Sequence, residues 1–107
     1  MALIALLSWF FAGAFFANAL PHFLSGVMGR SFQSPFARPP GEGLSSSSVN
    51  VAWGFANFVV FYLLAFQVGA FDGHNILHVG VFGLGALLMA LFCARHFGRF
   101  HGGRGQA

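Results

Sequence analysis

Residues 2–20, 49–70 and 76–94 form three apolar stretches without a single Asp, Glu, Lys or Arg. Each is about as long as the ~20 residues that an α-helix needs to cross a bilayer core. Such stretches leave few options, because in lipid every backbone N–H and C=O must find its partner within the protein. The predicted fold class is all-α: an integral membrane three-helix bundle, one membrane domain over residues 1–107, with a long ordered loop at 21–48 and a basic tail at 95–107. Composition agrees. Only 7% of the residues are charged, where a soluble domain carries about 25%.

The tripeptide Ala17-Asn18-Ala19 has the small-x-small form of a signal-peptide cleavage site. No positive charge precedes the first stretch, however, and its apolar run exceeds a usual h-region. It is therefore expected to be a retained span. The basic residues are five Arg and no Lys: Arg30 and Arg38 in the loop, then Arg95, Arg99 and Arg104 in the tail. Three spans put loop and tail on one side, and the positive-inside rule makes that side the cytoplasm. The expected topology is N-out/C-in, with the turn at 71–73 outside. Arg without Lys, alongside abundant Ala and Gly, suggests a GC-rich bacterial genome and hence the cytoplasmic (inner) membrane. The net charge of +3 is accounted for by this orientation, so nucleic acid is not an expected partner.

Lipid gives no hydrophobic reward for helix association, so packing faces are sought among small residues. In the third span Gly83, Ala86, Ala90 and Ala94 recur at spacings of three and four, widened by Gly80 and Gly85. The second has Ala52-Ala56 and Ala65-Gly69; the first has Ala5, Ser8 and Ala12, with Gly13-Ala17 beside them. Gly83, Ala86 and Ala90 are the helix-packing candidates, either within the bundle or towards other membrane subunits or a second copy. Asp72 is expected to N-cap the third helix and one of Ser45 to Ser48 the second. Trp53 stands where an interfacial anchor belongs, and Cys93 reads as an inert buried thiol.

The segment 21–48 is too long for an ordinary connection, and its Phe, Gly and Pro content is not that of a solvated linker. His22 and its neighbours could prolong the first helix past Pro21, since neighbouring groups can satisfy the carbonyl that a proline frees. Asn18, His22, Asn50 and Asn57 gather at one depth and are the ligand- or partner-binding candidates; they could equally pin the loop to the bundle. Pro21-His22-Phe23, Gly26-x-x-Gly29, Ser34-Pro35-Phe36-Ala37, Gly43-Leu44-Ser45-Ser46 and Asn50-x-x-Trp53-Gly54 together resemble a core found in small uncharacterised bacterial multi-pass membrane proteins. The resemblance covers roughly residues 18 to 60 and implies a family without an assigned chemistry.

Asp72, His74 and His78 are the candidate metal ligands, since two His four apart share a helix face. A closed site would need a fourth ligand from elsewhere. Haem needs axial ligands at matching depth, whereas His74 and His78 are expected near one face and His22, His96 and His101 near the other. No cofactor is expected. Neither an intramembrane carboxylate nor a nucleophile–base pair nor a phosphate cradle is evident, so an enzyme is not expected. The expected function is non-catalytic: an accessory or structural subunit of a larger membrane assembly, or a homo-oligomer. The alternatives are an oligomeric pore or transport component of holin-like architecture and a metal- or ligand-binding membrane protein.

Overall fold

A computed structural model of the chain describes residues 2–105. The first helix, α1, spans Ala2–Val27 and carries Pro21 inside it. Pro21 lacks the N–H that would bond the Ala17 carbonyl, yet the helix continues beyond it, because the residues that follow are held from outside. Gly26 lies against the Ser47 carbonyl and Val51 of the second helix. His22 is bonded to Asn50 at 2.9 Å. The helix stops at Gly29 (φ 76°), where Gly29 N–H donates to the Gly26 carbonyl and Arg30 N–H to the Ser25 carbonyl, both at 2.9 Å. That is the glycine-dependent Schellman closure.

A two-stranded antiparallel ribbon follows, β1 (Phe32–Gln33) and β2 (Leu44–Ser45), with Phe32 opposite Ser45 and Gln33 opposite Leu44. This ribbon is the one departure from the all-α expectation. The second helix, α2, covers Ser47–Tyr62; the Ser46 hydroxyl caps it by accepting from Val49 N–H. It runs on as a π-helical segment, Leu63–Val68. Four-residue steps drift about 40° round an α-helix. The wider π turn takes out that drift, so Ala65 is fully buried and the Gly69 carbonyl accepts from the Trp9 indole at 2.7 Å. The third helix, α3, spans Ile76–His101 and ends at Gly102 (φ 80°).

Three helices are thus long and apolar enough to cross a membrane: Ala2–Val27, Ser47–Val68 and Ile76–His101. Twenty-six residues rise about 39 Å, and the longest dimension of the molecule is 39 Å. The helix ends differ from the sequence expectation. α1 and α3 each outrun it by seven residues and α2 starts two residues early, which shortens the connection to residues 28–46 and makes most of the tail helical. Residues 106 and 107 of that tail lie outside the described residues. The cap of α3 is also not Asp72: Asn75 accepts from Leu77 and His78 N–H, because it directly precedes the first helical residue.

The helices are not equivalent. α1 is the middle element, 44% buried over its most apolar window against 22% for α2 with its π segment and 11% for α3. Each of its two interfaces turns on a reciprocal pair of glycines. Gly13 of α1 meets the Phe82 carbonyl of α3, and Gly85 of α3 meets the Phe10 carbonyl of α1. Gly26 meets Ser47 and Val51 of α2, while Gly54 of α2 meets the Phe23 backbone of α1. A methyl group at any of these four would collide with backbone. The expected contact residues divide: Ala5, Ser8, Ala12, Gly13, Ala17, Ala65, Gly69 and Gly85 are buried. Gly83 and Ala90 are exposed, as are Ala52 and Ala56, whereas Ala86 is half-buried. The spacing of three and four was met by small residues on both sides of α3, and its inner face uses Gly85. Phe16, ringed by Phe58, Phe61 and Phe82, fills the space between α2 and α3.

Candidate functional site

Asn18, His22, Asn50 and Asn57 do come together, at the end of the helices that carries the ribbon. Asn18 Nδ2 donates to Asn57 Oδ1 at 3.0 Å, and Asn57 Nδ2 donates to the Trp53 carbonyl at 2.8 Å. Cys93 Sγ approaches Asn18 Oδ1 at 3.6 Å, so a residue from each helix meets at this level. Asn50 is fully buried. Its Nδ2 faces the carbonyls of Phe32, Ser45 and Ser46 at 3.1–3.2 Å. With the amide nitrogen so placed, the oxygen is the end turned to His22, and an oxygen only accepts. His22 Nδ1 therefore carries the proton in the 2.9 Å bond, which leaves Nε2 with its lone pair in the neutral ring. Asn50 thus ties two backbone segments, at Phe32 and at Ser45-Ser46, to α1 through His22. Both ends of its amide are bonded within the chain.

The loop is fastened from the α3 side as well. The Gly41 carbonyl accepts from His96 Nε2 at 2.7 Å. His101 stacks on Phe32 with ring centres 4.9 Å apart and bonds Gln33 Oε1 at 2.8 Å. Phe97 packs on Phe32 and His22. The sequence reading placed His96 and His101 only in the tail and at the wrong remove for haem. Their role depends on α3 continuing past residue 94, for which Ala94 to His101 without Gly until 98 and without Pro was the available signal.

Beneath the loop lies a cavity of about 290 Å³ lined by Asn18, His22, Ser34, Trp53, His96 and Phe97 among others. The Ser34 hydroxyl is shared with Ser45 Oγ at 2.6 Å and accepts from Phe36 N–H at 3.1 Å. Among the described residues no Asp or Glu lines the cavity, and the bonds of the Ser34 hydroxyl go to Ser45 and Phe36. Trp53, expected at the interface as an anchor, is half-buried under the loop. Phe36 meets its ring edge-on at 5.3 Å, and its indole N–H is buried without a partner. A buried unpaired N–H costs about 1–3 kcal/mol.

At the opposite end, Asp72 and the residues after it are joined through the backbone N–H groups of Asp72 and His74. Asp72 Oδ1 accepts from His74 N–H at 2.9 Å, and His78 Nδ1 accepts from Asp72 N–H at 3.0 Å. His78 stacks on Trp9 at 3.8 Å. His74 precedes the first residue of α3, so the pair does not share a helix face as the spacing suggested. Among the described residues no three His, Cys, Asp or Glu side chains gather as a metal set. No known protein family, curated protein or solved structure matches the chain.

Proposed function

We propose that this chain is a non-catalytic integral membrane protein of the bacterial inner membrane, lying N-out/C-in, which serves as an accessory or structural subunit of a larger membrane assembly or as a homo-oligomer. The observation that carries this reading is the division of labour among the helices. The polar side chains of the interior are spent within the chain, Asn50 on the loop and Asn57 between α1 and α2, with both 0–1% exposed, while α3 packs on α1 through one face and leaves most of its surface exposed. Nothing lies within 4 Å of a methyl group built on Gly80 or Gly83, and Ala90 and Ala94 are exposed on the same side. Small residues facing outward from a span allow a second helix to approach closely. The orientation rests on all five Arg lying in the loop and the tail.

The test is native mass spectrometry in mild detergent. The wild-type chain should elute with a second copy or with another membrane protein. Gly83→Leu and Ala90→Leu, both in open space, should yield the single chain with its helical circular dichroism unchanged. A wild-type chain that is monomeric in mild detergent and in bilayer nanodiscs, or association indifferent to both variants, contradicts the reading.

A further inference from the structure

The flank of α3 away from Gly83 and Ala90 carries a different pattern. Leu88, Phe92, Arg95 and Arg99 follow one another at steps of four, three and four, which places them on one stripe of the helix. The apolar half of this stripe borders a groove of about 420 Å³ between α1 and α3, whose walls include Phe10, Phe15, Leu88, Met89 and Phe92. The basic half borders a basin of about 410 Å³ formed by Phe92, Arg95, His96, Arg99 and Arg104. Phe92 lines both, so groove and basin adjoin. Arg104 reaches the basin because the chain reverses at Gly102, and its Nε donates to the Arg95 carbonyl at 3.0 Å. All three Arg are exposed. The chain has only two acids, Glu42 and Asp72, and neither borders the basin.

We propose that this groove and basin form a binding site for one anionic phospholipid, with an acyl chain along Phe92, Leu88 and Phe15 and the phosphate among Arg95, Arg99 and Arg104. The dimensions suit one leaflet. From Arg95 down to Gly85, which also lines the groove, α3 rises about 15 Å, half of the ~30 Å hydrocarbon core. The charge suits an anionic headgroup. Guanidinium groups pair with phosphate oxygens through parallel N–H bonds, and three of them with no acidic side chain among the described residues lining the basin favour a headgroup with no cation of its own. A zwitterionic lipid would bring its ammonium against the same guanidinium groups. Basic pockets beside membrane helices select acidic lipids on these grounds. The site requires that α1 and α3 span the bilayer, but it does not depend on which leaflet the tail occupies or on the association proposed above.

The experiment is native mass spectrometry of the purified chain with phosphatidylglycerol and phosphatidylcholine of identical acyl chains at equal concentration. One phosphatidylglycerol should be retained with at least about tenfold preference. Arg95→Gln/Arg99→Gln/Arg104→Gln should abolish the preference, and Leu88→Trp, which fills the groove without touching the charges, should lower retention of phosphatidylglycerol. Thermal melts check that both variants are folded. Equal retention of the two lipids by the wild-type chain overturns the proposal. So does retention unaffected by Leu88→Trp, which would show a charged surface without a groove. Displacement of phosphatidylglycerol by inorganic phosphate at comparable concentration overturns it too, since the basin would then be a site for the free anion.

Discussion

Two glycines on one helix, two residues apart, should respond in opposite ways to the same added methyl group. At Gly85 the methyl collides with the backbone carbonyl of Phe10 and comes within 3.2 Å of its Cα; at Gly83 nothing beyond its own helix turn lies within 4 Å among the described residues. Both substitutions to Ala gain the same helix propensity, about 0.8–1.0 kcal/mol in water, so the difference between them isolates the steric cost. Overpacking of a close contact costs about 1–3 kcal/mol. Relief at Gly85 would require α1 and α3 to separate, which would also loosen the reciprocal seat of Gly13 on the Phe82 carbonyl. Gly85→Ala is therefore expected to be less stable than Gly83→Ala by about 1–3 kcal/mol, read as the difference in reversible unfolding by sodium dodecyl sulfate titration from mild detergent. Equal stability of the two variants would refute the crossing geometry.

The clamps should rank by the number of partners they leave behind. Asn57→Leu removes one interhelical bond, worth on average ~0.6 kcal/mol, whereas Asn50→Leu strands buried carbonyls and the His22 N–H at about 1–3 kcal/mol for each such group. Thermal melts in detergent should therefore show Asn50→Leu as clearly the more damaging change, and the reverse order would contradict the clamp. Elemental analysis of the purified chain should find less than one equivalent of Zn, Cu or Fe, because among the described residues no three His, Cys, Asp or Glu side chains gather; stoichiometric metal lost in His74→Ala/His78→Ala would reverse that expectation.

How much of this was legible beforehand depends on whether a feature is local. The absence of charge from three long stretches marks the helices directly, and a serine before the second stretch marks its cap. The meeting of Asn57 with another helix also follows from one rule, that a polar side chain at depth needs a partner. The identity of that partner does not follow, because Asn18 was one of several groups at similar depth. Nor does the contact face of α3. Gly83 and Gly85 are chemically identical, and only the position of α1 decides that one is buried and the other open. Pro21 is a further case. The sequence allows the helix to stop at the proline or to run past it, and it runs on because Gly26 and His22 are held by α2, a tertiary fact that residue 21 does not decide. Asn50 was noticed for its polarity, but its four partners come from segments up to 28 residues away, and no local pattern encodes such a clamp.

Labelling of single cysteines in intact cells bears most directly on the account, since both the three-span fold and its proposed orientation must hold for it to come out right. With Cys93 replaced by Ala, a cysteine is placed at Ser31 in the exposed start of the loop, at Gly73 in the turn before α3, or at Gly105 beyond the Arg cluster; the three original residues are exposed. A membrane-impermeant maleimide should label Gly73→Cys from outside, and Ser31→Cys and Gly105→Cys only after permeabilisation. Labelling of Ser31→Cys in intact cells, or of Gly73→Cys only in broken ones, would contradict it.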